Sequence, residues 1–356
     1  MKFFKSKLFK LTIAILVILI TSPFLYYEYA QGQMEETLKI SSPDGIEEFA
    51  EVEINGLKQW VLIRSENKNN PVFLFLSGGP GFTEIPFMHH NRELEKHFVM
   101  VYWDQRGAGK TYSQTPNLEK IKFEDYINDT VYIIDYLKDR FQVEKVYAAG
   151  HSWGTTLGLL VAKKHPELFH AFVAISLVSD LNISDKYAYN ELLNRSQLPL
   201  YTQYLERLKK LGAPPYKTQE QIDELGSLVN LMGGGIYKED VEPWLYDKGI
   251  PSPYYELNDY RLTVEALTKT WGAVIPEYYA HNLLKEVPEI NIPLFILAGI
   301  DDLITPYSLA HEYFEKVKAR AGKKFYRFDK SAHFIHLEET EKFQKILIDE
   351  VKKPTL

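Results

Sequence analysis

Hydrophobic positions along the chain fall into three kinds of pattern, and their order predicts the architecture. The first is one long apolar run, Leu11 to Leu25, interrupted only by Thr12, Thr21, Ser22 and Pro23. The second is alternation: Glu51-Val52-Glu53-Ile54 and Trp60-Val61-Leu62-Ile63 put apolar residues at every other position, with Asn55-Gly56 between them. Alternation across an Asn-Gly turn predicts an antiparallel hairpin within 38–65. The third is the short continuous run, as in Val72–Leu76, Phe98–Tyr102, Val146–Ala149, Phe172–Leu177 and Ile292–Ala298. Such runs suit strands buried on both faces. Between Phe123 and Phe141, Tyr126-Ile127, Ile133-Ile134, Leu137 and Phe141 recur at helical spacing. Strands alternating with helices predict an α/β fold, a mostly parallel sheet with helices on both faces.

The alternation stops after Asp180 and resumes at Ile292. Residues 181–288 carry helix-like pieces, many tyrosines and the breakers Pro214-Pro215, Gly233-Gly234-Gly235 and Pro251-Ser252-Pro253. They predict a helical cap inserted between two sheet strands. A helix is expected after Pro306, a last strand over Lys324–Phe328 and a C-terminal helix from about Glu338. The domain reading is an N-terminal segment over 1–37 ending in a polar linker, core over 38–180, cap over 181–288 and core again over 289–356.

One stretch carries the candidate chemistry. The apolar run ending at Ala149 is followed by Gly150-His151-Ser152-Trp153-Gly154 and then by a helix-like run to Lys164. Strand, Gly-x-Ser-x-Gly and helix in this order are the context of a nucleophile elbow, with Ser152 at the turn tip and at a helix N-terminus. A serine hydroxyl needs an adjacent base. In this arrangement an acid and then a histidine follow in the chain, each just past a strand. After Ile292–Ala298 come Asp301 and Asp302; the spacing Gly-x-x-Asp-x-x-x-Pro, Gly299 to Pro306, selects Asp302. After the last strand come His333 and His336; His333, in the loop itself, is the expected base and His336 a supporting group. His151, next to the nucleophile, should point away from it. An oxyanion hole needs two N–H donors. Trp153 supplies one; the loop Ser77-Gly78-Gly79-Pro80-Gly81 supplies the other, from Gly79 before Gly78. A phosphate loop is the competing reading of those glycines, but no Gly-Lys-Ser/Thr follows.

Composition narrows the rest. The 356 residues carry a formal net charge of −7 and no cysteine. Thiol catalysis, disulfides and cysteine metal sites are excluded, and the acidic balance gives no support to nucleic-acid binding. Lys2, Lys5, Lys7 and Lys10 precede the long apolar run, and Tyr26, Tyr27 and Tyr29 follow it. Extended through the tyrosines, the run is just long enough to span a bilayer. An uncleaved signal-anchor is expected, with the lysines cytoplasmic and the catalytic part outside; a cleaved signal peptide and secretion is the alternative.

Ser77-Gly-Gly-Pro-Gly81, Asp104-Gln-Arg-Gly-Ala-Gly109, Gly150-His-Ser-Trp-Gly154, Gly299-x-x-Asp302-x-x-Thr-Pro306 and the His333 loop together resemble the α/β-hydrolases of the proline iminopeptidase group. Ser77 stands where that group usually has histidine. The resemblance spans about 45–180 and 290–350 and leaves out the cap. It implies a Ser-His-Asp hydrolase without metal or organic cofactor, releasing an N-terminal residue, often proline, from short peptides. It also implies a structural ion pair for Arg106. In the family's peptidases, acidic cap residues bind the substrate's amino group. The candidates are Glu191, Glu239, Asp240, Glu242, Glu256, Asp259 and Glu265, none of them in a family cap motif. Two alternatives follow: an esterase with an aromatic acyl pocket in the cap, and a non-catalytic binding protein on the same fold. The pattern sets no oligomeric state.

Overall fold

The computed structural model describes residues 2–239 and 241–352. Eight strands form one sheet: β1 Ile46–Ile54, β2 Leu57–Ser65, β3 Val72–Leu76, β4 Val99–Trp103, β5 Val146–His151, β6 Phe169–Ile175, then Leu294–Gly299 and Lys323–Phe328. A separate parallel pair, β7 Glu289–Ile290 and β9 Lys318–Ala319, has one strand before each of these last members in the chain, which are therefore β8 and β10. The spatial order is β1-β2-β4-β3-β5-β6-β8-β10. Only the β1–β2 and β2–β4 pairings are antiparallel; the others are parallel. Asn55 and Gly56, at φ 47° and 78°, turn β1 into β2 as the alternation requires. The central strands β3, β4 and β5 are buried at every position, which is why they read as continuous apolar runs.

Helices cover both faces. On one, α2 (Phe123–Phe141) and α3 (Trp153–Lys164) pack with Leu74, Leu76, Val99 and Val101. On the other, the C-terminal segment, with Ile335, Phe343 and Leu347, packs with Phe73, Phe75 and Met100. The chain between β6 and β7 is helical: α4 Leu181–Arg195, α5 Leu205–Leu211, α6 Gln219–Leu231, α7 Val241–Gly249, α8 Leu257–Tyr278 and α9 Leu283–Glu286. Its helices α4, α5 and α6 share an apolar cluster that reaches the core at Leu303.

The N-terminal helix, α1, runs over Lys2–Leu38, and its segment from Phe9 is long and apolar enough to cross a membrane. The polar residues 28–37 read as a linker in sequence, yet here they continue the helix. The reason is their docking. Tyr27 Oη donates to Tyr255 O at 2.7 Å, and Gln31 Nε2 donates to Ser252 O at 2.7 Å. Buried Arg64 donates to Leu38 O, and the Leu38 side chain is itself buried.

Candidate active site

The site is assembled where β3, β5, β6, β8 and β10 end. Ser152 lies between the last residue of β5 and the first of α3, at φ 52° and ψ −116°. A non-glycine residue there is strained, and such strain is held only where the surroundings over-determine it. Here the surroundings are the two glycines. A Cβ on Gly150 would lie 2.1 Å from Gly154 O, and one on Gly154 would lie 2.3 Å from Leu76 O. Neither position admits a side chain, so α3 can leave the sheet at once. Ser152 remains partly exposed while both its neighbours are buried.

His333 and Asp302 meet: His333 Nδ1 is 2.9 Å from Asp302 Oδ2, and both residues are almost fully buried. The carboxylate is fixed from its other sides. Ile304 N and Thr305 N donate to Oδ1 at 2.8 Å each, and Thr305 Oγ1 donates to Oδ2 at 2.6 Å. Asp301 points elsewhere. Its side chain is 37 % exposed and lies 3.5 Å from the Arg195 guanidinium. The structure therefore distinguishes the two aspartates by burial and by partner.

Trp153 is buried, its ring edge-on against Phe123, Tyr126 and Tyr278, and its Nε1 donates to Gln105 Oε1 at 3.1 Å. That ties the residue after the serine to the Asp104-Gln-Arg-Gly run. The run braces more than this. Arg106 forms a two-pronged pair with Asp129, at 2.7 and 2.8 Å. Buried Asp104 accepts from Lys110 N at 2.8 Å and from Tyr255 Oη of the cap. Burial pushes its carboxyl up to about 6 despite these donors. Gly79 sits at φ 110° in the glycine-rich loop, a conformation open to glycine and closed to other residues.

Beneath the His333 loop lies a cluster that sequence reasoning missed. Glu84, His151 and His336 are all buried. Glu84 Oε1 is 3.1 Å from His151 Nδ1, and Oε2 is 3.1 Å from His336 Nε2. The other nitrogen of His151 is 3.0 Å from the main-chain oxygen of His333. Both contacts of His151 are with oxygen atoms. Burial alone would raise the Glu84 carboxyl; the two histidines outweigh it and hold it down, so the carboxylate faces them ionised. Burial lowers His336, partly offset by Glu84. The three ligand-type atoms lie within 4.8 Å of one another, but they are spent on each other in hydrogen bonds. Ser176 Oγ donates to the same His333 oxygen at 2.7 Å, and His333 N donates to Gly235 O at 3.0 Å. The main chain of His333 is thus held on both sides. The ring of His151 reaches Glu84 on one side and the His333 loop on the other. A charged Glu84 inside a mostly apolar stretch, Phe82 to Met88, was the available signal.

The cap reaches this machinery through the glycine run read as a breaker. Gly234 O accepts from Leu303 N at 2.9 Å, next to Asp302, and Gly235 O accepts from His333 N. Beside it lies a cavity of about 500 Å³ between cap and core. Its walls include Phe82, Phe87, Asn230, Leu245, Tyr260 and Val264, and among the described residues no charged side chain. Phe82 joins it to the site, packing edge-on against Phe334, the residue after His333.

The acidic cap residues lie elsewhere. Glu191 is near Arg195 at 3.5 Å, Asp259 pairs with Lys110 at 2.7 Å, and Glu265 pairs with Lys269 at 2.7 Å. Glu256 and Asp259 cap α8, and Glu239 is exposed. Asp240 and the side chain of Glu242 lie outside the described residues.

Comparison with known proteins gives a consistent picture. The alpha/beta hydrolase fold family matches residues 71–340. Probable aminopeptidase YbaC of Bacillus subtilis (strain 168) is 31% identical over 308 residues, 83% of this chain and 94% of that protein. Among solved structures, the proline iminopeptidase of Mycobacterium smegmatis superposes with a TM-score of 0.60 at 17% identity, covering 85% of this chain and 96% of that one. A bacterial membrane phospholipase A superposes with a TM-score of 0.57 at 16% identity, covering 97% of this chain and 96% of that one. At these identities the structural likenesses show the fold alone.

Proposed function

Because the chain belongs to the α/β-hydrolase family and has proline iminopeptidase-like relatives, we propose that it is a serine hydrolase acting through an acyl-enzyme on Ser152. The observation that carries this reading is the buried 2.9 Å contact between His333 and Asp302 beside the strained Ser152 turn. Ser152 Oγ attacks a carbonyl carbon as His333 takes its proton. Asp302 keeps the imidazole oriented and stabilises its cation. The N–H groups of Gly79 and Trp153 receive the oxyanion. His333 returns the proton to the leaving amine or alcohol, and water then repeats the sequence to free the acid. Each step uses a protein group; none calls for a metal or organic cofactor.

The relatives' names support a short peptide with a free N-terminus as substrate. One specific observation favours a second reading, an acyl ester: among the described residues, the cavity next to the site is lined by no carboxylate to receive an amino group. For α1 we propose a membrane anchor that leaves the catalytic part outside the cytoplasm, with a signal sequence as the competing assignment.

The deciding assay pairs wild type with Ser152→Ala on three substrates: a proline arylamide with a free N-terminus, its N-acetylated form and a short-chain aryl ester. Turnover of the free amide with rejection of the acetylated form establishes the aminopeptidase. Turnover of the ester alone overturns that and leaves the esterase. Equal activity in Ser152→Ala overturns the serine mechanism.

A further inference from the structure

The helix α1 and the cavity share a wall. A cleft separates the cap from α1, lined by Pro23, Phe24 and Tyr27 on one side and by Ile250, Pro251 and Leu257 on the other. Ile250 also lines the 500 Å³ cavity. Pro23 and Phe24 belong to the apolar run, and Tyr26 and Tyr29, at its end, are exposed in the manner of interfacial residues. If α1 spans a bilayer, the cap edge at Ile250, Pro251 and Leu257 therefore lies at the level of the headgroups.

From that edge an apolar stripe leads inward. Leu257, Val264 and Leu267 lie on one face of α8, and all three are exposed, at 41%, 53% and 38%. Leu257 touches the α1 cleft; Val264 and Leu267 line the cavity. The stripe is about 10–15 Å long at helical rise. Tyr246, from α7, adds a further exposed ring at the cavity wall. Exposed apolar surface that is contiguous with a membrane helix and opens into a mostly apolar pocket is costly in water and favourable against lipid. The cavity volume lies within the range of about 300–1,000 Å³ usual for ligand pockets.

We propose that this face of the cap rests on the bilayer and that the cavity draws its substrate from the adjoining leaflet: a lipid ester whose acyl chain passes along the α8 stripe into the cavity. The inference rests on the serine-hydrolase reading and on the anchor, and it takes the ester side of the two substrates. The chemistry is that of the site already described. Ser152 Oγ bonds to the ester carbonyl carbon, the carbonyl–alcohol bond breaks, and the proton from Ser152 passes through His333 to the departing alcohol. Water then releases the fatty acid and restores the serine.

The test uses the full-length chain in phosphatidylcholine–phosphatidylglycerol vesicles, with a long-chain fluorogenic ester lipid either in the same vesicles or in separate ones. A soluble short-chain ester runs in parallel, and a fluorophosphonate reports on Ser152. Wild type should turn over the embedded ester at least tenfold faster in shared than in separate vesicles. Leu257→Glu and Val264→Glu, both at exposed positions, should each lower the ratio of embedded to soluble turnover at least tenfold while still reacting with the fluorophosphonate. Equal rates in shared and separate vesicles, an unchanged ratio in both variants, or a labelled wild type that leaves the embedded ester intact would overturn the membrane-fed cavity and leave the hydrolase standing. Failure of the fluorophosphonate to label wild type would instead overturn the hydrolase reading, and this inference with it.

Discussion

The elbow and the cap sit against each other and are built on opposite principles. At the elbow every position is over-determined. Two glycines are forced by backbone contacts near 2 Å, Asp302 accepts three hydrogen bonds besides its contact with His333, and the His333 loop is held through His151, Ser176 and Gly235. In the cap, Glu256, Asp259 and Glu265 are spent on ion pairs and a helix end, and the described residues of the cavity wall carry no charge. A rigid site of this kind fixes the reaction, whereas a wall of packed apolar side chains can vary and leave it intact. The comparison teaches that the reaction type and the substrate are encoded in physically different ways within one chain.

The sharpest break between the two regions is at the proposed triad. Ser152→Ala should lower kcat about 10⁴-fold or more, and Asp302→Asn about 10³–10⁴-fold, because the imidazole loses the partner that sets its tautomer. Asp301→Asn, one residue away and facing Arg195, should change kcat less than threefold. Steady-state kinetics on whichever substrate is turned over checks all three. A comparable loss at Asp301 would mean that burial and partner do not separate the two aspartates.

That contrast also marks what the sequence could reveal. The elbow, the glycine-rich loop and the Asp302 and His333 loops are short segments whose backbone demands specific residue types, so they are legible one segment at a time. Local hydrogen-bonding rules also foresaw the hairpin at Asn55-Gly56 and the pairing of the apolar runs into a parallel sheet. The buried Glu84–His151–His336 cluster was not legible. Its members are 67 and 185 residues apart in sequence from His151, and nothing local requires them to meet. The same holds for α1, where residues 28–37 look like a linker until Tyr27 and Gln31 find carbonyls more than 200 residues away. The cap resisted for a third reason: surface carboxylates that cap helices look the same in sequence as carboxylates that bind a ligand.

The cluster beneath His333 sharpens the comparison next. Glu84→Leu removes the acceptor of two buried rings and should destabilise the protein by about 3–5 kcal/mol, seen in denaturant unfolding. His151→Phe keeps the ring volume but removes a donor to the His333 oxygen. It should lower kcat about tenfold with KM nearly unchanged, since the affected group is part of the His333 loop and not of the cavity. If KM rises instead and kcat holds, the cluster belongs functionally to the cap.

In the cavity wall the expectation reverses. Phe82→Ala should raise KM about tenfold for the bulkier of two homologous substrates and change kcat less, because it removes apolar surface common to ground and transition states. Loss of kcat equal to that at His151 would show that the wall is coupled to the chemistry through Phe334, and the division between rigid site and variable wall would fail.

The smallest expected effect concerns Glu338, which links the two regions from below. Both its carboxylate oxygens accept from Ala332 N, at 2.8 and 2.9 Å, next to His333. Burial pushes its carboxyl up to about 8, with Asp302 adding to the rise and the Ala332 N–H opposing it. The folded state therefore favours the protonated acid more than the unfolded chain does. The sign follows: its contribution to stability is fully present below the unfolded value, near 4.5, and is lost as the pH rises toward about 8. Glu338→Gln keeps a side-chain oxygen for Ala332 N but cannot ionise. Its unfolding free energy should decline less than wild type's between pH 5 and 8, by about 1–2 kcal/mol, with discounting for the part of the side chain that solvent reaches. Parallel declines in the two proteins would place the pH dependence elsewhere, and Asp104, raised to about 6 by burial under the cap tyrosine Tyr255, is the group to change next.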